Sequence, residues 1–167
     1  WQNYGISSYI RGSAQQLIWQ SYYLLEEALE KESPAVVVYN VQAMKYAQPQ
    51  SEAYNRMALD GMPLSQHKID AINASMCEDE DMISYLIPLL RYHSRWSELS
   101  SEDLEYMFKK DPVTISGYLM RADTKPMTKL PNVPVLEDYT IGERCWYYLD
   151  KMRELCQTLG TELVLIK

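Results

Sequence analysis

Basic residues and long apolar runs are both scarce in this chain of 167 residues. Lysine and arginine total 16 against 23 aspartates and glutamates, which gives a formal net charge of −7. Binding to a phosphate backbone needs a basic patch, so we expect no nucleic-acid partner. A membrane span needs roughly 18 consecutive apolar residues, and because no run approaches that length we expect no membrane span in this chain.

Cysteine and histidine are also few, and their spacing matches no common metal or disulfide pattern. Cys77, Cys145 and Cys156 form no C-x-x-C pair, and His67 and His93 do not share the four-residue spacing of a helical zinc site. The phosphate-binding motif G-x-x-x-x-G-K-[ST] does not occur either. We therefore expect no metal site, no disulfide framework and no cofactor.

Phenylalanine is nearly absent, while tyrosine and tryptophan are plentiful. The chain has one Phe against 14 Tyr and 4 Trp. Tyrosine and tryptophan join an apolar body to a polar group, so they suit half-buried surfaces and binding faces. Filling of the core is the simpler explanation of this composition.

Hydrophobic periodicity predicts an α/β chain with parallel strands. Short β-branched or continuous apolar runs predict strands at 6–10, 35–39 and 162–166, the last two buried on both faces. Helical spacing and cap signals predict helices over 14–31, 66–76, 79–92, 100–110 and 141–159, a helical turn over 52–59, and a long loop or weak strands over 111–138. Capping boxes of Ser13 with Gln16 and of Thr140 with Glu143 mark the starts of the first and last helices, Pro88 predicts a kink, and Gly160 predicts the end of the last helix. The domain is thus a βαβ core over 1–40, a mainly helical insertion over 41–138 and an αβ core over 139–167.

Polar residues follow two of the predicted strands. Gly12 and Ser13 lie at the first strand-to-helix turn, and Asn40 directly follows the strand over 35–39. In open parallel sheets the carboxyl ends of strands form the binding edge, so the Gly12 amide and the Asn40 side chain could hold an oxyanion together. The alternatives are an N-cap role for Ser13 and a turn role for Asn40.

A second candidate binding stretch follows Pro88. Arg91, His93 and Arg95 stand among aromatic residues, a combination that suits an anionic or sugar-like ligand. A buried hydrogen-bonded corner is the alternative.

Ser65 and Lys68 match the S-x-x-K spacing of penicillin-recognising enzymes. The companion motifs S-D-N and K-T-G do not occur in the chain. An N-cap role for Ser65 explains the pattern, and the enzymatic reading remains a remote alternative.

The chain resembles SGNH/GDSL-type hydrolases, most closely a bacterial cell-envelope branch related to proteins of teichoic-acid D-alanylation and exopolysaccharide O-acetylation. The resemblance rests on the segments 12–16, 36–40 and 88–96 with the helix between the first two. It implies an incomplete flavodoxin-like three-layer α/β/α sandwich with a large helical insertion. It also implies oxyanion donors at Gly12 and Asn40, as well as an extracytoplasmic or envelope location.

The resemblance is incomplete at the catalytic blocks. The family's nucleophile block and its Asp-x-x-His pair are absent from residues 1–167, so no catalytic residue is assigned here. We therefore expect the chain to be a single, truncated domain from the middle of an esterase or acyltransferase, inactive alone. Its parent would act on a polysaccharide or an acylated small molecule by Ser-His-Asp chemistry.

A non-catalytic binding or scaffolding domain of the envelope is the alternative function. In either case a missing strand would expose a sheet edge, through which a homodimer could form.

Overall fold

A computed structural model of the chain describes residues 5–87, 98, 100–101 and 140–167. The chain divides into two compact units, one formed by 1–11 with 95–140 and the other by 12–94 with 141–167. Every helix and strand discussed below belongs to the second unit.

The described part of the second unit mixes helices with a small sheet. In chain order its elements are α1 (Ile18–Leu29), β1 (Val36–Asn40), a short 3₁₀ helix (Val41–Lys45), α2 (Glu52–Leu59), α3 (Gln66–Ser75), α4 (Met82–Leu86), α5 (Glu143–Thr158) and β2 (Glu162–Ile166). The predicted strands at 35–39 and 162–166 are confirmed to within one residue, and so is the predicted helix over 66–76. The predicted helical turn over 52–59 is a full α-helix.

The two strands pair side by side in parallel, which makes the chain a mixed α/β protein. Val36 lies opposite Glu162, and the register continues without a bulge to Asn40 opposite Ile166. Each strand follows directly after a long helix, α1 before β1 and α5 before β2, and these two helices pack against each other. Val36 and Glu162 therefore begin the parallel strands of two adjacent helix–strand units.

Within the residues that the structure describes, the helices cover one face of the sheet. Tyr39 is buried in the helical core and Leu163 packs against that core, whereas Val36, Val38 and Ile166 are 46%, 59% and 47% exposed. Opposed residues of parallel strands share a face, so the exposed three lie on the side away from the helices. The prediction that both strands are buried on both faces is therefore wrong. Their apolar runs indicated a covered sheet, but the helices of this unit pack on one side.

Helix α1 is the centre of the unit because it contributes to two apolar clusters. On one side Trp19 packs with β1 and α5, in a cluster that includes Tyr39 and Tyr148. On another side Leu24 packs with α2, α3 and α4, in a cluster that includes Ile72. A helix buried on two sides needs more apolar surface than a one-sided amphipathic helix, and α1 supplies it.

The predicted strand at 6–10 is wrong, since these residues form neither a helix nor a strand. Ile6 and Ile10 would share one face with Ser8, while Tyr9 would share the other with Ser7. Neither face would be fully apolar, so this segment gains little from joining a sheet.

Helix α1 begins four residues later than predicted. The N–H of Ser13 does donate to the side chain of Gln16, as a capping box requires, but this contact closes a turn before the helix. Gln15 adopts a positive φ of 52°, which interrupts helical geometry. The true N-cap is Leu17, whose N–H donates to Oε1 of Gln20 at 3.0 Å.

The predicted helix over 79–92 begins late and ends early. Asp81 is its N-cap, and its Oδ1 accepts from the N–H of Ile83. The helix ends at Leu86, and Ile87 has the extended φ of −124° and ψ of 81°. Because a residue before proline avoids the α region, the end of α4 at Ile87 agrees with Pro88 as the next residue. Residues 88–92 of the predicted helix lie outside the described residues.

The last helix, predicted over 141–159, is α5. Its N-cap is Gly142 and no side chain caps it, so the predicted capping box of Thr140 with Glu143 is wrong. The predicted helix stop at Gly160 is confirmed, because this residue has a φ of 70°.

Apart from residues 100 and 101, the predicted helix over 100–110 and the predicted loop over 111–138 lie outside the described residues.

Candidate functional site

The predicted oxyanion donor Gly12 lies in an exposed turn ahead of α1. A Cβ built at Gly12 would meet no atom within 4 Å, so the position is open on that side. Ser13 is half-buried, and both its N–H and its hydroxyl donate to Oε1 of Gln16, at 2.8 and 3.2 Å. This pair of bonds fixes the turn that presents Gly12.

Hydrogen bonds tie this turn to the first turns of α1. Nε2 of Gln16 donates to the hydroxyl of Ser21 at 2.9 Å, and that hydroxyl donates to the carbonyl of Leu17 at 3.2 Å. The phenol of Tyr39 lies near Ser21. Burial raises the pKa of Tyr39, and the nearby Ser21 hydroxyl acts in the opposite direction. The Ser13 turn is thus connected through Gln16 and Ser21 to the strand residue that precedes Asn40.

The phenol of Tyr39 is buried and lacks a well-formed hydrogen bond within the described residues. An unpaired buried hydroxyl costs free energy, so it marks a place where a polar group or water could bind. Sequence reasoning missed Tyr39 and Ser21, because their proximity joins two elements and no local spacing reveals it.

Asn40, the second predicted donor, stands where β1 ends and the 3₁₀ helix begins. Its Oδ1 accepts from the N–H of Gln42 at 2.9 Å, so Asn40 is the N-cap of that helix. Asn40 therefore has the structural turn role that was the alternative to oxyanion binding, because it caps the helix that follows β1. The same bond orients the carboxamide and leaves Nδ2, a double donor, outside the cap.

Gly12, Ser13 and Asn40 belong to the same compact unit, and a shared oxyanion site formed by Gly12 and Asn40 stays a prediction. Gly12 follows an irregular segment instead of a strand, so the predicted strand-to-helix turn is absent. The other three candidates, Arg91, His93 and Arg95, lie outside the described residues.

Ser65 and Lys68 do not form a nucleophile-and-base pair. The hydroxyl of Ser65 accepts the backbone N–H of Lys68 at 3.2 Å, which is the predicted N-cap bond of α3. The buried ammonium of Lys68 donates to the carbonyl of Met62 at 3.0 Å. Both side chains therefore stabilise the helix start.

A cluster that sequence reasoning missed surrounds His67. Its Nδ1 lies 3.2 Å from Oε2 of Glu26, and its Nε2 lies 2.8 Å from Oε1 of Glu30. The hydroxyl of Tyr22 donates to the other oxygen of Glu26. The sequence did carry a signal, because Tyr22, Glu26 and Glu30 are four residues apart and so share one face of α1.

The three cysteines are free thiols with little thiolate character. Cys145 and Cys156 are buried, and Cys77 is half-buried. Burial raises the pKa of all three, and Glu80 and Asp79 add to the shift of Cys77, whose pKa is about 11. Across the described ranges, no cluster of three or more His, Cys, Asp or Glu side chains is placed to hold a metal ion.

No protein-family model matches the chain, and neither the curated proteins nor the solved structures include a significant match. Helices within 5–87 and 140–167 are too short or too polar to cross a membrane.

Proposed function

We propose that this chain forms part of an SGNH-like esterase or acyltransferase that acts on cell-envelope polysaccharide. Within it, Asn40 would donate from Nδ2 to the oxyanion, and the amide of Gly12 would be the second donor. The nucleophilic serine and the Asp-His pair would come from outside residues 1–167. The proposal includes a flavodoxin-like sandwich and an extracytoplasmic location, both of which the family resemblance implies.

The observation that carries the proposal is the position and fixation of Asn40. It is the last residue of a parallel strand, and in open α/β sheets ligands bind at that edge. The bond from Gln42 holds the carboxamide in one orientation. A fixed donor stabilises developing negative charge without reorganising during the reaction, which is the property an oxyanion hole needs.

The exposed sheet face fits the same proposal. Val38 and Ile166 are each about half exposed or more on the face away from α1 and α5. In a three-layer sandwich, further helices would cover these side chains. The covering elements would belong to the complete domain.

A non-catalytic binding or scaffolding domain is the second candidate. The observation that favours it is the absence of a strand at 6–10, since Gly12 then lacks the strand that positions the glycine donor in the first proposal. The capping bond of Asn40 also gives this residue a structural role without any chemistry.

Labelling with a fluorophosphonate probe separates the two candidates. The protein expressed from the complete gene is incubated with the probe. An activated serine Oγ attacks the phosphorus of the probe, and fluoride leaves. The first proposal expects labelling of one serine, identified by mass spectrometry. Absence of labelling under conditions that label a control esterase supports the binding domain.

The variant Asn40→Asp tests the role of Asn40 itself. Aspartate keeps the oxygen that accepts from Gln42 but lacks the Nδ2 donor, so the cap survives and the oxyanion contact is lost. We expect labelling about 100-fold slower, the usual effect of removing one oxyanion donor. Asn73→Ala, at an exposed position on α3, is the control and should label at the wild-type rate. A wild-type rate for Asn40→Asp contradicts the assignment.

A further inference from the structure

The imidazole of His67 joins two helices through both of its nitrogen atoms. His67 belongs to α3, Glu26 belongs to α1, and Glu30 is the C-cap residue of α1. The contacts are 3.2 Å from Nδ1 to Glu26 and 2.8 Å from Nε2 to Glu30. The side chains of His67 and Glu26 are 21% and 24% exposed, so their contact is partly shielded from water, whereas Glu30 is 62% exposed.

The number of protons on the His67 imidazole decides whether both of its contacts can be hydrogen bonds. A neutral imidazole donates from one nitrogen and accepts at the other, whereas an imidazolium donates from both. One oxygen of Glu26 already accepts from the Tyr22 hydroxyl, and its other oxygen faces Nδ1 of His67. If His67 were neutral, one nitrogen lone pair would face a carboxylate oxygen, which is repulsive.

The surroundings of His67 also favour the protonated imidazole. The hydrogen bond to Glu30 is the largest influence and raises the pKa of His67, burial lowers it, and the charges of Glu30 and Glu26 raise it further. On α3 itself, Asp70 is bonded to Gln66. The ammonium of Lys68, the one basic neighbour on this helix, donates to a carbonyl.

The other helices packed on α3 bring no free charge toward the imidazole. On α2, Arg56 is paired with both Glu52 and Asp60. The five residues of α4, Met82–Leu86, contain no charged side chain. Glu27 of α1 is paired with Lys31.

We propose that His67 is a pH-sensitive contact that holds α3 against α1 while the imidazole is protonated and releases it as the pH rises. Deprotonation removes one of the two hydrogen bonds and one positive charge from a site with two carboxylates. Because α3 also packs against α2 and α4, the release would loosen the helical layer on that side of α1.

The sign of the effect on stability follows from the direction of the pKa shift. The pKa of His67 is higher in the folded than in the unfolded protein, so the stabilisation is complete below the unfolded value of about 6.5. It is lost as the pH rises through the folded-state value. The unfolding equilibrium constant should therefore increase over that window.

Two measurements on the full chain test the proposal. Imidazole resonances of His67 are followed by NMR from pH 5 to 9, and the variant His93→Gln assigns them, since the chain has two histidines. We expect a His67 pKa above that of the same residue in urea-unfolded protein. In parallel, urea unfolding of wild type and His67→Gln is measured at pH 5.5 and 8.5. We expect the ratio of their unfolding constants to change by at least about threefold between the two pH values.

Charge-neutral variants separate the proton-dependent contact from simple packing. Glu30→Gln keeps an acceptor but removes the charge, so it should lower the pKa of His67, whereas Glu32→Gln at an exposed position should not. The protection of α3 amides, corrected for the intrinsic pH dependence of exchange, should fall above the His67 pKa in wild type alone. A His67 pKa at or below the unfolded value, or equal pH dependence in wild type and His67→Gln, overturns the proposal.

Discussion

Gln20 and Asn55 form a hydrogen bond inside the protein, with Nε2 of Gln20 2.9 Å from Oδ1 of Asn55. Both side chains are almost completely buried. Asn55 donates in turn to the carbonyl of Ser75 at 2.7 Å, so three helices, α1, α2 and α3, are joined by one polar chain. Buried amides whose bonds are satisfied define a unique packing, because any shift leaves a polar group unpaired.

Removing Asn55 should therefore be costly. In Asn55→Ala the amide of Gln20 and the carbonyl of Ser75 lose their partners in a dry site, and we expect the free energy of unfolding to fall by about 2–4 kcal/mol. Urea unfolding at pH 7 measures it. Asn73→Ala on the exposed side of α3 should change stability by less than about 0.5 kcal/mol. Similar losses in both variants would mean that the polar chain is not important for stability.

Arg144 should matter more than Arg153, although both lie on α5. Arg144 donates to the carbonyl of Ala74 at 2.6 Å, and its guanidinium lies 3.9 Å from the ring centre of Trp19. Arg153 makes an exposed ion pair with Asp150. Thermal and urea unfolding should show a loss of about 1–3 kcal/mol for Arg144→Met and less than about 0.5 kcal/mol for Arg153→Met. Equal losses would contradict the importance of the stacked contact.

Cys77 should react slowly with alkylating reagents. Burial raises the pKa of Cys77 to about 11, with Glu80 and Asp79 adding to the shift, so the thiolate is rare near neutral pH. Iodoacetamide labelling followed by mass spectrometry should be at least about tenfold slower than for an exposed thiol. The rate should still be rising with pH at 9.5.

The cause of the low Cys77 reactivity can be tested on Glu80. Glu80→Gln removes the charge but keeps an acceptor for the hydroxyl of Tyr85, which donates to Glu80 at 2.7 Å. We expect faster labelling of Cys77 in this variant and no change in Glu78→Gln. A plateau in the wild-type rate below pH 9 would show that the pKa of Cys77 is not raised.

Sequence periodicity predicted β1, β2 and the longest helices, since those patterns are local, but it also predicted a strand at 6–10 that does not form. The runs that became β1 and β2 are mostly β-branched or aliphatic, so they were recognisable. Helix ends were less predictable. The pairing of Ser13 with Gln16 was foreseen, but nothing local showed that it would close a separate turn before α1.

The polar contacts that matter most connect residues far apart in the chain. Gln20 and Asn55 are separated by 35 residues, and His67 and Glu30 by 37. Such pairs depend on how the helices pack, which spacing within one helix cannot show. Asn40 differs, because its place at a strand end and its turn role are both local, and the sequence indicated both.

The most direct test of the proposed function is a crystal structure of the protein from the complete gene after reaction with a fluorophosphonate. The phosphonyl oxygen of the adduct stands where the oxyanion would form. Our proposal predicts that this oxygen lies about 3 Å from both the amide nitrogen of Gly12 and Nδ2 of Asn40. An adduct whose oxygen is held by other donors, or a structure with Gly12 and Asn40 on opposite sides of the sheet, would contradict it.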